Sequence, residues 1–210
     1  MSEAQTLAAI RATGALISDG HFVYTSGAHG DTYFNKDAVF MHTELTAQLC
    51  EQIARHFVHQ AVDIVIGPVA GGVIMGQWVA NHLSKLQDRE VLAIYADKAK
   101  GSTDQAPRFI VKRGYDKAIA HKRVLIVDDV LNMGTSIRAM RDLVAQHDGK
   151  LVGAGCLINR YSHDAHSLQI PELYSLIKLK LHIYDAKACS LCKKGVPINT
   201  DYGKAKAATS

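Results

Sequence analysis

Apolar residues recur every three or four positions in several segments of the chain, which is the spacing of one face of an α-helix. The clearest segment is 43–58, where an apolar residue stands at every fourth position from Leu45 to Phe57. Thr43 precedes this run and is a residue type suited to cap a helix N-terminus. Three further helices are predicted over residues 3–17, 73–85 and 135–147.

Short runs rich in Val, Ile and Leu lie between these helices and predict buried strands. Because the runs are nearly continuous and alternate with helices, they indicate a parallel sheet covered on both faces, in a single α/β domain. The polar segment 96–108 contains Gly, Ser, Thr, Asp and Pro, so we expect a loop there. The predicted strands are VDIVIG (62–67), VLAIY (91–95), RVLIV (123–127) and LVGAGCLI (151–158).

Composition is that of an ordinary globular domain of 210 residues, 48% hydrophobic and 21% charged. The chain has 24 Lys and Arg against 20 Asp and Glu, a net charge of +4, spread without a concentrated basic patch. This charge gives no support for a nucleic-acid or membrane-surface partner. We find no membrane-spanning run, signal peptide or disulfide framework, and therefore expect a cytoplasmic protein of enzyme size.

The segment VLIVDDVLNMGTS (124–136) combines two kinds of binding group. Asp128 and Asp129 follow a buried strand, and Thr135 and Ser136 open a helix after a glycine-containing loop. The loop amides, the helix N-terminus and the two hydroxyls are suited to a phosphate group. The adjacent carboxylates can accept hydrogen bonds from vicinal hydroxyls or hold Mg²⁺ through water. The combination predicts a sugar phosphate as ligand.

Three other classes of protein use similar residues. A phosphoacceptor receiver domain needs a further Asp later in the chain, and IPELYSLI (170–177) contains none. A P-loop nucleotidase needs Lys after its second glycine, but Val73 follows the suitably spaced Gly67 and Gly72. The glycine fingerprint of dinucleotide-binding folds follows none of the predicted strands. These three classes are therefore disfavoured.

The whole segment 124–136 resembles the phosphoribosyl-pyrophosphate (PRPP) motif of the type I phosphoribosyltransferases. Four other segments are similar to the orotate phosphoribosyltransferases of that family, and the resemblance extends from about residue 14 to residue 198. They are GHFVYTSGAHGDTYFNKDAVF (20–40), similar to an N-terminal hood; IGPVAGGVIMG (66–76), similar to a pyrophosphate loop; RFIVKRGY (108–115), similar to the strand pair behind a catalytic loop; and ACSLCKKGVPI (188–198), similar to a C-terminal signature of one subgroup.

The resemblance implies the type I phosphoribosyltransferase fold, with a central parallel sheet flanked by helices and an N-terminal hood. We expect residues 1–210 to form one domain: a hood from about 1–40 plus a C-terminal part, a core over about 43–184, and a frayed tail over about 200–210. The implied reaction is transfer of the 5-phosphoribosyl group from PRPP to orotate in de novo pyrimidine biosynthesis. The implied cofactor is Mg²⁺, bound mainly through the pyrophosphate of PRPP, and the implied assembly is a homodimer whose mobile loop is shared across subunits.

The resemblance also implies the PRPP site. Asp128 and Asp129 correspond to the residues that bind the ribose hydroxyls, and the turn 69–72 to the one that receives pyrophosphate. Lys98 resembles the lysine of the mobile loop, whose charge would offset that of the departing pyrophosphate. We predict a catalytic role for these three side chains and assign no direct metal ligand. The implied PRPP-binding residues are Ala70, Gly71, Gly72, Lys98, Asp128, Asp129, Val130, Leu131, Asn132, Met133, Gly134, Thr135 and Ser136.

For orotate, the resemblance implies four binding residues. Arg160 stands where the family has an arginine that contacts the orotate carboxylate, a contact for which a planar guanidinium is well suited. Tyr33 and Phe34 match an aromatic pair at the orotate pocket, and Asn132 replaces a threonine that touches orotate. These residues are the predicted orotate site.

Three positions depart from the family pattern. Thr25 stands where the hood has a lysine, Ala28 where the subgroup has an arginine, and Asn132 where a threonine is usual. These departures leave open a phosphoribosyltransferase for a purine or uracil. A second alternative is a non-catalytic PRPP-sensing regulator on the same fold, against which the presence of both Lys98 and Arg160 argues.

Cys189 and Cys192 have the spacing of zinc ligands, but a structural zinc site needs four. His182 is a candidate third ligand, and no fourth is apparent from spacing, since Cys50 and Cys156 fall in a predicted helix and strand. The favoured interpretation is therefore two packed thiols, or a disulfide that forms in air. Whether this pair binds metal stays open.

Overall fold

The computed structural model describes residues 1–24, 26–103, 105–179 and 181–203. Thr25 and the end of the predicted frayed tail lie outside these described residues. The helices within them are α1 (Glu3–Ala12), α2 (Lys36–Phe40), α3 (Thr43–Phe57), α4 (Gly71–Leu86), α5 (Tyr115–Ile119), α6 (Thr135–Gln146), α7 (Ala165–Leu168) and α8 (Ser190–Lys193). No helix in the described ranges is long and apolar enough to cross a membrane.

The strands form one large sheet and two small ones. The large sheet has the order β10-β9-β8-β5-β6-β7; the pairs from β10 to β6 are parallel, and β7 is antiparallel to β6. The strands are β1 (Leu16–Ile17), β2 (Phe22–Val23), β3 (His29–Gly30), β4 (Tyr33–Phe34), β5 (Ile64–Pro68), β6 (Leu92–Lys98), β7 (Phe109–Ile110), β8 (Arg123–Leu131), β9 (Lys150–Asn159), β10 (Leu173–Lys178) and β11 (Ile183–Tyr184).

Two hydrophobic cores cover the large sheet, one on each face. Because successive side chains of a strand point to opposite faces, Leu125 and Val127 enter the core formed with α3 and α4. Val124 and Ile126 enter the other core, with α5, α6 and α7. This arrangement confirms the prediction of an α/β fold with a sheet covered on both faces.

The hood is built from both ends of the chain. β1 pairs with β4, and β3 pairs with β2 on one side and with β11 on the other, all antiparallel. The backbone N–H of Asn199 donates to His21 O at 2.7 Å, which holds the C-terminal segment against the same region. The N-terminal hood and the C-terminal segment therefore form one small structure beside the large sheet.

Some predicted boundaries are wrong. The helix predicted over 3–17 ends at Ala12, and Gly14 then turns the chain with φ 73° toward β1. Thr43 is the first residue of α3 rather than its N-cap; His42 occupies that position without a side-chain cap. The strand β10 carries no clear run of its own in the sequence and was not predicted.

Two strands extend farther than their apolar runs indicate. β6 continues to Lys98, where it pairs with Phe109, so Lys98 ends a strand instead of lying within the loop. β8 continues to Leu131, which is in register with Asn159, so the Asp pair lies in the strand rather than after it. Backbone pairing with a neighbouring strand continues in both cases after the side chains have become polar.

Candidate active site

A cavity of about 900 Å³ lies between the hood and the carboxyl ends of β6 and β8. The hood contributes Tyr24 and the segment from Tyr33 to Asp37, and the C-terminal segment contributes residues 185–187 and Gly203. Of the predicted site residues, the structure brings to this cavity Tyr33, Phe34, Lys98, all of 128–136, and Arg160. One ligand could therefore touch both the predicted PRPP residues and the predicted orotate residues.

Asp128 and Asp129 stand side by side on the cavity wall, the first half-buried and the second buried. Burial and the neighbouring Asp129 raise the pKa of Asp128 well above its ordinary value. Burial also raises the pKa of Asp129, although the ammonium of Lys36 opposes the rise. Two carboxyl groups so placed favour a ligand that donates hydrogen bonds to them or carries positive charge.

Lys36 lies beside the Asp128–Asp129 pair and was not identified from the sequence. It lies on α2, with its Nζ 3.6 Å from Asp129 Oδ2 and 2.9 Å from Asp37 Oδ1. Burial acts to lower the pKa of Lys36, but the two carboxylates outweigh it and raise the pKa. Lys36 lies within the segment that resembles the hood, 93 positions before Asp129. At that separation, sequence spacing does not indicate that the two side chains meet.

The loop after β8 leads into α6, and its residues Asn132, Met133 and Gly134 line the cavity. Gly134 has φ 72°, and a Cβ there would overlap the side chain of Leu168, so this turn requires glycine. Thr135 and Ser136 then start α6 on the cavity wall. A helix N-terminus beside two hydroxyls is a binding site for a phosphate group.

The predicted pyrophosphate turn stands behind this wall. Ala70, Gly71 and Gly72 are not among the described residues that line the cavity. Gly71 nevertheless lies against Asp129, because a Cβ at position 71 would overlap the Asp129 carboxylate. Gly72 packs equally closely on the Gly67 backbone at the end of β5. The glycines thus let the start of α4 approach the Asp pair.

Arg160 is buried and lines the same cavity. Its Nη1 donates to Asn132 Oδ1 at 3.1 Å, and its Cζ lies 4.4 Å from the centroid of the Tyr24 ring. Nε and Nη2, the two donors on one edge of the guanidinium, have no hydrogen-bond partner among the described residues. Buried donors of a charged group are costly to leave unpaired, so this edge is suited to a bound anion.

The backbone around Arg160 is held in place by its neighbours. Asn159 is fully buried, and its side chain donates to His163 O at 2.8 Å and accepts from His163 N at 3.1 Å. His163 Nε2 lies 2.7 Å from Asn132 O. This network joins the end of β9 to the loop after β8, so Arg160 and Asn132 are positioned together.

Tyr24 and the predicted aromatic pair form the hood side of the cavity. Burial raises the pKa of Tyr24 although the charge of Arg160 opposes the rise, and the neutral phenol donates to Thr32 O. Tyr33 is half-buried between Phe22 and Tyr202, at centroid distances of 5.6 and 5.5 Å. Tyr24 was not identified from the sequence, since a lone tyrosine carries no signal of its partner.

Two of the three residues that depart from the family pattern, Ala28 and Asn132, are among the described residues. Ala28 lines the cavity, and Asn132 holds Arg160 as described above. Asn132 thus accepts a hydrogen bond within the site. Thr25 lies outside the described residues.

The cysteines of the C-terminal motif lie outside the cavity wall. Cys189 and Cys192 face His21 and His29 in the hood. His182, the candidate third ligand, instead has its Nδ1 3.0 Å from Asp31 Oδ2, and its side chain is 79% exposed. The candidate third ligand His182 therefore does not join the thiols, and the two histidines that face them come from the other end of the chain.

A family model of the phosphoribosyl transferase domain matches residues 35–184, more than half of the chain. The chain belongs to the phosphoribosyltransferase family. This membership confirms the resemblance drawn from the PRPP motif, and the matched range contains both Asp residues and Arg160.

Several individual phosphoribosyltransferases are similar to this chain in sequence or in structure. An orotate phosphoribosyltransferase of Chlorobium phaeobacteroides is 31% identical over 205 residues, 98% of each chain. The crystal structure of orotate phosphoribosyltransferase from Mycobacterium tuberculosis has a TM-score of 0.64 at 16% identity, covering 84% of this chain and 96% of that one. Adenine phosphoribosyltransferase from Saccharomyces cerevisiae has a TM-score of 0.61 at 20% identity, covering 83% and 99%. The structural likenesses confirm the type I fold and are shared by proteins named for different bases.

Proposed function

We propose that the protein transfers the 5-phosphoribosyl group from PRPP to orotate, giving orotidine 5′-monophosphate and pyrophosphate in de novo pyrimidine (UMP) biosynthesis. The observation that carries the choice of base is Arg160, which lines the cavity and whose buried Nε and Nη2 have no hydrogen-bond partner among the described residues. A planar carboxylate can accept from both donors at once. Adenine, hypoxanthine and uracil carry no carboxylate, and the full-length relative of 31% identity is named for orotate.

Other residues that line the cavity are suited to PRPP. Asp128 and Asp129 would accept hydrogen bonds from the two ribose hydroxyls, which offsets the burial that raises their pKa values. The N-terminus of α6, with Thr135 and Ser136, would bind the 5′-phosphate. The anomeric carbon of PRPP would then face the orotate held by Arg160.

The proposed reaction is a displacement at this anomeric carbon. A ring nitrogen of orotate forms the new C–N bond while the C–O bond to pyrophosphate breaks. Both electrons of the C–O bond leave with pyrophosphate, which also takes the proton lost by the ring nitrogen. Positive charge develops on the ribose, so the nearby carboxylates stabilise the transition state more than the ground state. Holding both substrates in one cavity supplies the remaining rate enhancement through their orientation.

Mg²⁺ fits the donor chemistry of this site. Carboxylate oxygens are ligands that this hard cation accepts, and the raised pKa values of Asp128 and Asp129 show that nearby positive charge does not offset their burial. In the proposal, the cation is bound mainly by the pyrophosphate of PRPP and neutralises that group as it leaves. The Asp pair would hold the ion through water.

The proposal extends to a cytoplasmic homodimer. The segment after Lys98 resembles the mobile loop that the family shares between subunits, and the described cysteines are free thiols, which persist in a reducing compartment. In the single chain, Lys98, Gln105 and Pro107 already line the cavity of their own subunit. The loop can therefore reach a cavity wall.

Replacing Lys98 by alanine is expected to lower kcat about 100-fold or more while PRPP binding changes by only about threefold, because the ammonium acts on charge that develops as pyrophosphate leaves. Stopped-flow turnover and equilibrium PRPP binding give the two numbers. The exposed Lys85→Ala variant, at the end of α4, is the matched control and should keep wild-type kcat. Unchanged turnover in the Lys98 variant would remove this lysine from the reaction.

The direct test is an absorbance assay of orotate consumption with PRPP and Mg²⁺, beside parallel reactions with adenine, hypoxanthine, xanthine and uracil. We expect turnover of orotate alone, its arrest by a chelator and its recovery on adding back Mg²⁺. Turnover of another base in place of orotate would disprove the role of Arg160 and leave the PRPP site standing. PRPP binding with no turnover of any base would instead support the non-catalytic regulator.

A further inference from the structure

Four potential metal ligands meet in the hood, outside the active-site cavity. His21 immediately precedes β2, and His29 lies in β3. Cys189 is the N-cap residue of α8, and Cys192 is the third residue of that helix. One ligand atom from each side chain lies within 4.8 Å of all the others. The two pairs are more than 150 residues apart in the chain, so folding alone brings them together.

The distances within this cluster are close to those around a tetrahedral zinc ion. Zinc–nitrogen bonds of about 2.0–2.1 Å and zinc–sulfur bonds of about 2.3 Å place a nitrogen about 3.6 Å from a sulfur. His21 Nε2 lies 3.7 Å from both Sγ atoms, and His29 Nδ1 lies 3.4 Å from Cys192 Sγ. The two nitrogens are 2.8 Å apart and would separate by about 0.5 Å to reach tetrahedral spacing.

One ligand of the cluster, His21, is held in the tautomer that zinc binding requires. His21 Nδ1 lies 2.7 Å from Val196 O, so it carries the proton and donates to that carbonyl. Nε2 of the same ring is then unprotonated and faces both sulfurs. A backbone carbonyl that fixes the tautomer in this way is the usual partner of a zinc-bound histidine. His21, His29 and Cys189 are buried, with Cys192 at the surface.

We propose that His21, His29, Cys189 and Cys192 bind one Zn²⁺ in a closed structural site. Two thiolates and two imidazoles make a complete tetrahedral set, with no position left for a substrate. The donor types also favour zinc over Mg²⁺, which takes oxygen ligands. Binding releases the two thiol protons to solvent and involves no oxidation.

The ion would fasten the C-terminal segment to the hood. The residues just before Cys189 include Asp185 and Lys187, which line the active-site cavity, and the chain beyond Cys192 returns to bond His21 O through Asn199. The short helix α8 buries little beyond Cys189, so packing alone holds this segment weakly. Zinc would thereby keep one wall of the cavity in position without touching substrate.

Metal analysis of the purified full-length protein tests the site directly. After preparation with Zn²⁺ under reducing conditions and gel filtration, we expect about one zinc per wild-type chain. The Cys192→Ser and His29→Ala variants should retain less than about a tenth of that zinc. His182→Ala, which removes an exposed hood histidine outside the cluster, is the matched control and should keep the full amount. Wild-type protein without zinc, or equal zinc in all variants, would overturn the proposal.

Two measurements on the wild-type protein keep the test valid if a variant fails to fold. Protein loaded with Co²⁺ should show the intense visible bands of a tetrahedral ion and a thiolate charge-transfer band; a weak octahedral spectrum would disprove the ligand set. Removal of zinc should increase amide hydrogen exchange over residues 188–199 and leave β5 and β8 unchanged. Equal protection of 188–199 with and without zinc would disprove the fastening role.

Discussion

Replacing Asp128 by asparagine should lower kcat/KM about 100-fold or more while leaving the protein at least as stable as the wild type. The activity falls because an amide holds ribose hydroxyls, and the positive charge that develops on the ribose, less well than a carboxylate does. The fold tolerates the change because Asn Oδ1 can still accept the 2.9 Å hydrogen bond from Asp129 N. A residue whose removal costs activity and spares stability is serving the ligand.

The stability half of this expectation follows from the direction of the pKa shift. The pKa of Asp128 is raised by folding, so the folded state binds more protons than the unfolded state between the ordinary and the raised value. Stability is therefore lost as pH rises through that interval. Asparagine cannot ionise, so the variant should gain in Tm relative to wild type at pH 8 and lose that advantage at the acid end of the interval.

Thermal unfolding at several pH values, together with kcat/KM at pH 8, checks both halves. Asp142→Asn, an exposed aspartate on α6, is the control and should change neither activity nor the pH dependence of Tm. A lower Tm for Asp128→Asn at pH 8 would mean that this carboxylate supports the fold. Retained activity would mean that it does not bind PRPP.

Replacing Arg160 by lysine should raise the KM for orotate about 100-fold, with the dissociation constant of PRPP changed by only about twofold. Lysine keeps the positive charge but lacks the planar edge whose Nε and Nη2 have no hydrogen-bond partner in the part of the chain that the structure describes. The contact with Asn132 Oδ1 and the stacking on Tyr24 also belong to the guanidinium. A charge alone would serve any anion, whereas the planar edge selects a carboxylate.

Initial rates over a range of orotate concentrations, with calorimetric PRPP binding, separate the two effects. The exposed Arg55→Lys variant on α3 is the control for the chemistry of the substitution. An unchanged KM for orotate would show that the guanidinium edge faces no carboxylate. A comparable loss of PRPP affinity would show that Arg160 acts on the whole cavity instead of on the base.

Local pattern predicted most of the large sheet, and the reason is physical. The strands β5, β8 and β9 are buried on both faces, so nearly every residue in them is apolar and the run itself marks the strand. The strand ends were harder to predict. Asp128 and Lys98 remain in strands because backbone pairing continues into the site, and side-chain polarity does not report backbone pairing.

The site residues also differ in how far the sequence could predict them. The Asp pair, Gly134 and the helix that follows are contiguous, so their chemistry could be recognised together in one segment. Lys36 and Tyr24 reach the cavity from the hood and depend on tertiary contacts that no local pattern records. The histidines opposite the C-terminal cysteines were missed for the same reason.

The pairing of β11 with β3 has a consequence during synthesis of the chain. A ribosome completes β3 early and β11 only after about 150 further residues, so one edge of β3 stays unpaired while the large sheet is already able to form. Chains interrupted before residue 183 would leave that edge of β3 unpaired, and would lack the part of the cavity wall that the returning C-terminal segment supplies.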